Sequence, residues 1–147
     1  MQSSELQALL DESPLHRGLA LTVTELTESS LTLAGEAGEG HVNGATTGVV
    51  HGGALAVVLD AAATLVLVHV TGTDWSTVDF RVDYLRPVLT GPLVVRAVAD
   101  HVGRRIGRAS AVLASGGQGS PHARAVGTFV RSQPEAEPAP RPSEANI

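Results

Sequence analysis

Residues 48–70 read Gly-Val-Val-His-Gly-Gly-Ala-Leu-Ala-Val-Val-Leu-Asp-Ala-Ala-Ala-Thr-Leu-Val-Leu-Val-His-Val, an apolar run with a single carboxylate, Asp60, inside it. From Ala54 onward the run holds no Gly or Pro and is too long for an ordinary strand. It therefore predicts a helix that starts near Gly53 and stops at Thr71-Gly72. A helix that is apolar all round is buried on every side. A membrane span is the competing reading. The run falls short of the roughly 20 apolar residues a span needs, and it carries Asp60 near its middle. A buried central helix, in a chain without a membrane partner, is the expectation.

The 147 residues suffice for one domain with a real core, and 43% hydrophobic against 17% charged content fits a globular chain. A net charge of -5 offers nothing to offset phosphate repulsion, so nucleic acid is not an expected partner. The absence of cysteine rules out disulfides, thiolate nucleophiles and cysteine-ligated metals. His16, His41, His69, His101 and His122 lack metal-ligand spacing and read as structural or surface residues; neither metal nor cofactor is expected. The first residues, Met-Gln-Ser-Ser-Glu-Leu, lack a basic segment followed by an apolar core, so the expected location is cytoplasmic.

Around the central helix, residues 3–11 form a short capped helix that Ser13-Pro14 ends. Residues 19–26 and 30–36 alternate as strands, and 36–48 is a Gly-rich loop holding His41 and Asn43. After the helix, residues 76–86 are the clearest strand: Val78, Phe80, Val82 and Tyr84 point one way, Thr77, Asp79, Arg81 and Asp83 the other. Strands at 93–101, 106–115 and 122–131 follow, with a flexible connection at 116–121. Residues 132–147, rich in Pro, Glu and Ala, are an expected disordered tail, leaving 1–131 as one domain. This order predicts an α+β chain in which one antiparallel sheet wraps a central helix. The helix's other flank is expected to meet a second copy.

Two features of the run carry chemistry. A helix N-terminus presents unpaired N–H donors and partial positive charge, and Gly52-Gly53 would let a ligand approach that backbone closely. A carbonyl oxygen placed there gains stabilisation as it becomes an oxyanion. Gly-Gly is also an ordinary tight turn. Asp60 costs several kcal/mol in apolar surroundings unless paired, which points to a base or to a capped structural carboxylate. Asp60 lies seven residues past Gly53, on a similar face but about 10 Å along the axis. A base works within about 3 Å of its target. If both features serve one reaction, the carboxylate comes from a second chain whose helix runs antiparallel about a two-fold axis.

His51-Gly52-Gly53 followed by Asp60 nine positions after the histidine resembles the hotdog-fold acyl-CoA thioesterases of the PaaI-like type. The strand 77–87, the segment Gly103-Arg104-Arg105-Ile106 and the closing 125–129 are similar to the same family; the likeness covers residues 15–131. The resemblance implies a hotdog fold and hydrolysis of an acyl-CoA thioester to a carboxylic acid and free CoA. It implies that Gly52 and Gly53 polarise the carbonyl, and that Asp60 of a partner chain acts as general base or as a nucleophile forming an anhydride. Thr77 falls where the family positions a water, and His51 orients the substrate or shapes the loop. The family's Asn, six residues before the histidine, is Ala45 here; either the loop bulges and Asn43, two residues earlier, takes its role, or the role is absent. Arg104, Arg105 and Arg108 are expected to contact CoA phosphates. A homodimer at least, extended to a homotetramer, is the implied assembly. A non-catalytic acyl-CoA binding module on the same fold, or a dehydratase or hydratase, are the alternatives.

Overall fold

A computed structural model describes residues 1–44, 46–116 and 119–132. The expected tail beyond Ser132, together with Ala45 and residues 117 and 118 of the expected flexible connection, lies outside the described residues.

The apolar run is the helix α3 (Gly52–Thr71). His51 caps its start with extended backbone, and Gly72 ends it at φ 67°, returning its N–H to the Val68 carbonyl at 2.8 Å. Only a residue without Cβ takes that left-handed stop cheaply, which is why the helix ends where the glycine stands. At 20 residues α3 is in fact long and apolar enough to cross a membrane, so the length argument made from the sequence fails. Just over half of its apolar stretch, 56%, is buried inside the protein, much of it against the sheet. Burial is not uniform around the helix, though. Val57, Asp60 and Thr64, at helical spacings of three and four, stay half-buried along one face.

Six strands form one antiparallel sheet: β1 (Thr22–Leu26), β2 (Ser30–Ala37), β3 (Trp75–Tyr84), β4 (Gly91–Val102), β5 (Ile106–Ser115) and β6 (Ala123–Arg131). Their spatial order is β1-β2-β4-β5-β6-β3, so β3 pairs only with β6 and leaves an open edge. This is the α+β hotdog arrangement, the sheet wrapped around α3. The inward positions of β5 and β6 are small where the helix lies against them: Gly107, Ala109 and Ala111, then Ala123, Ala125 and Gly127. A Cβ on Gly107 would stand 3.0 Å from the Trp75 ring and 3.1 Å from Leu67. Beside them Phe80 and Phe129 meet edge to face at 6.4 Å between ring centres.

Ser13-Pro14 ends the first helix, α1 (Ser3–Glu12), as the sequence indicates, but also starts another, α2 (Pro14–Gly18). Ser13 caps it and Pro14 occupies its first turn, a position where the missing N–H costs nothing. The strand expected from residue 19 therefore begins only at Thr22, after a turn in which Ala20 takes φ 48°. This short helix places His16 against α3.

Candidate active site

The head of α3 is wired by its own residues. His51 Nδ1 accepts the Gly53 N–H at 2.9 Å, while the His51 N–H donates to the His41 carbonyl at 2.7 Å. The Gly53 amide that the sequence reading enlists for a substrate carbonyl is thus already donated within the chain. The Gly52 N–H finds no acceptor among the described residues, and the Gly52 carbonyl accepts the Tyr84 hydroxyl at 2.8 Å.

About two helical turns further on, Asp60 Oδ1 accepts the Thr77 hydroxyl at 2.8 Å. Simple alternation put Thr77 on the polar side of its strand, and the reason it turns inward is a bulge. In the pairing of β3 with β6, Thr77 faces Phe129 and Asp79 faces Thr128, so Val78 has no partner and is 64% exposed. One extra residue reverses the phase of the strand. Trp75 and Thr77 face the helix before the bulge, and Phe80 and Tyr84 face it after.

Asp60 borders a cavity of about 310 Å³ whose apolar wall includes Leu9, Leu10, Leu65, Val68 and Trp75, with His16 and Thr64 among its polar groups. Trp75 is fixed there by its indole N–H, which donates to Thr71 Oγ1 at 2.9 Å, and by the Arg131 guanidinium 5.0 Å above its ring. His16, read from the sequence as structural or surface, belongs to this wall. Burial pushes its pKa below the usual 6.5, opposed by the Asp60 charge and by the Leu10 carbonyl. Its Nδ1 is buried and has no hydrogen-bond partner among the described residues.

Two residues of this neighbourhood escaped the sequence reading for different reasons. Thr64 sits four positions after Asp60, on the same helical face, and that spacing could have exposed it. His16 gives no local signal, because only the turn between α1 and α2 brings it to the cavity.

The remaining predicted residues disperse. Asn43 is exposed, with its N–H on the Val49 carbonyl at 2.7 Å, close to the head of α3. Arg104 and Arg105 occupy the β4–β5 turn, where the Arg131 N–H meets the Arg105 carbonyl at 2.9 Å. Through Arg131 and Trp75 that turn neighbours the C-terminal end of α3, the far end from Gly52. Arg108 separates from them: Gly107 and Ala109 face the helix, so Arg108 lies on the outer face of the sheet with Arg81, Arg124, Asp79 and Asp83. There Arg81 and Arg124 hold the Asp83 carboxyl below its ordinary range, at 2.9 and 3.2 Å. No three His, Asp or Glu side chains converge as a metal site would need, among the described residues.

Within one chain, then, the open Gly52 N–H and the Asp60 carboxylate that Thr77 meets lie on the same helix, about 10 Å apart along its axis. Comparison with known proteins bears on this arrangement. Residues 47–121, from the loop before α3 to the segment just before β6, match the model of the thioesterase superfamily. No curated protein matches. Among solved structures, a Bordetella protein from the thioesterase superfamily is 26% identical with a TM-score of 0.82, over 87% of this chain and 96% of its own. A phenylacetic acid degradation-related protein from Ralstonia eutropha is 24% identical, with a TM-score of 0.73 over 85% and 98% of the two chains. A Haemophilus influenzae thioesterase shares the fold at 18% identity and a TM-score of 0.78, over 90% and 91%. The family match spans the head of α3, Asp60 and Thr77 together, and the chain belongs to the thioesterase superfamily.

Proposed function

We propose that the protein hydrolyses an acyl-CoA thioester to a carboxylic acid and free CoA, in sites shared between two subunits. The observation that carries this reading is the Asp60–Thr77 pair, a carboxylate oriented by a hydroxyl at the rim of an apolar cavity. In this mechanism the thioester carbonyl lies at the head of α3, where the open Gly52 N–H and His51 stabilise the developing oxyanion. The partner's Asp60 takes a proton from water as the water oxygen attacks the carbonyl carbon. The tetrahedral intermediate collapses, the carbon–sulfur bond breaks, and the CoA thiolate takes up the proton. Direct attack by the carboxylate, giving an anhydride that water then opens, uses the same groups.

Several features support the two-chain arrangement. The axial separation of about 10 Å exceeds a base's reach. The edge strand β3 has unpaired backbone groups on one side, which a two-fold mate would satisfy by extending the sheet. The half-buried stripe of Val57, Asp60 and Thr64 would then face the partner subunit. An antiparallel partner helix would also carry its C-terminal end, with the Arg104–Arg105 turn, toward the head of α3. Those guanidinium groups suit the phosphates of CoA. On the outer sheet face Val112 and Val126 are 42% and 43% exposed, and two dimers joining there would form a tetramer.

The test is a free-thiol assay over short, long and aromatic acyl-CoAs, on wild type beside Asp60→Asn. Thiol release by wild type and its loss in the variant support the enzyme. No release from any ester by a correctly folded dimer would leave an acyl-CoA binding module. Unchanged turnover in Asn43→Ala would remove that residue from the site.

A further inference from the structure

A continuous hydrogen-bonded chain joins the end of β3 to the side chain that caps α3. Tyr84 donates its hydroxyl to the Gly52 carbonyl at 2.8 Å. The same peptide unit ends in the Gly53 N–H, which donates to His51 Nδ1 at 2.9 Å. A neutral imidazole has one donor and one acceptor nitrogen, and the acceptor here is Nδ1. The ring proton of neutral His51 is therefore on Nε2, which finds no partner among the described residues on an exposed side chain.

Every link in this chain pulls in one direction. Donation to a peptide carbonyl draws charge along the C–N bond and makes the attached N–H a stronger donor; linked bonds strengthen one another by roughly 10–30% each. A stronger donor at Nδ1 in turn makes the Nε2–H of His51 a stronger hydrogen-bond donor. The spacing is built for this contact. A Cβ on Gly52 would come within 3.1 Å of the Tyr84 ring, and one on Gly53 within 3.0 Å of His51 Nδ1. Both glycines thus serve the approach of neighbouring side chains, beyond any ligand's.

We infer that Tyr84 is a positioning residue, acting through the Gly52–Gly53 peptide on His51, and that His51 Nε2–H is a hydrogen-bond donor to the thioester carbonyl oxygen. The inference rests on the thioesterase reading of this site. It gives Tyr84 a part that neither its strand nor its exposure signals. The Gly53 amide acts here by orienting His51, and does not itself reach the substrate.

The experiment pairs kinetics with NMR on the full chain. On the acyl-CoA that wild type turns over best, Tyr84→Phe lowers kcat about 5-fold and leaves KM within about 2-fold. His51→Ala loses about 100-fold, the cost of one oxyanion donor. Adding Tyr84→Phe to His51→Ala causes no further loss, since one acts through the other. An equal loss in both backgrounds, or a change in KM alone, overturns the relay. Independently of turnover, Tyr84→Phe shifts the Gly53 amide proton upfield, as expected for a weakened bond to His51 Nδ1. An unmoved Gly53 resonance overturns the relay even in an active enzyme. Should wild type hydrolyse no acyl-CoA, the functional reading fails by itself, and the Gly53 resonance still decides the hydrogen-bond chain.

Discussion

Thr77 and Asp60 are 17 positions apart in the chain and 2.8 Å apart in space, and one extra residue in β3 makes the contact possible. Without the bulge at Val78, the strand phase that sends Phe80 toward the helix would send Thr77 away from it. The hydroxyl donates, so the carboxylate oxygen it meets is the acceptor, and the second oxygen is left for water.

Asp60→Asn should therefore lower kcat about 1,000-fold while acyl-CoA binding persists, as expected for loss of a base. Thr77→Val should cost about 10-fold, and Thr77→Ser should recover most of it, because only the hydroxyl's donation is at stake. The measurements are steady-state thiol release and calorimetric titration with a non-hydrolysable CoA thioether. Full activity in Asp60→Asn would remove the carboxylate from the mechanism.

If the site is shared, two dead variants should repair one another. Asp60→Asn and His51→Ala chains, unfolded and refolded together, would form half mixed dimers, each with one intact site. The mixture should then recover about one quarter of wild-type activity, while either variant alone stays inactive. A site confined to one chain gives no recovery, and a strictly monomeric, fully active protein would sink the two-fold arrangement.

His16 sets an acid-side stability slope. Burial lowers its folded-state pKa below 6.5, so the unfolded chain binds its proton first as pH falls. It leaves stability unchanged above the unfolded value and lowers it progressively from about pH 6.5 down to the folded value. Urea midpoints between about pH 5 and pH 8 should decline less toward acid in His16→Gln than in wild type. Identical slopes in the two proteins would contradict the burial effect.

Gly127 tests the packing around the helix. A Cβ there would come within 2.7 Å of both Phe80 and Phe129, two rings wedged against each other. Gly127→Ala should destabilise by about 1–3 kcal/mol, the usual cost of overpacking, read from denaturant unfolding with an unchanged m-value. A loss below about 0.5 kcal/mol would mean that the rings move aside.

The span of α3, its two ends and the strands that follow are readable from the chain, because each rests on local chemistry. The apolar run has no breaker, Gly52-Gly53 mark its start, and a glycine takes the left-handed stop. Asp60 stands out for the same reason, as the lone carboxylate in that run. Other parts depend on partners distant in sequence. The bulge at Val78 exists only in the register of β3 against β6, so alternation within β3 could not reveal it. Whether Arg108 shares a face with Arg104 and Arg105 depends on where β5 begins and which side meets the helix. His16 reaches its cavity through two short helices, and Tyr84 reaches Gly52 across 32 positions.

The sequence by itself determined a buried helix that opens on two glycines and carries one carboxylate, within a wrapped sheet. Periodicity, capping and the cost of an apolar carboxylate act over a few residues and need no knowledge of the fold. Only the tertiary structure decided which donors remain open at the head of α3, that Thr77 turns to Asp60, and that His16 walls the cavity. Those outcomes follow from strand register and element packing, which bring distant residues within hydrogen-bonding range, a range far shorter than any pattern along the chain can specify.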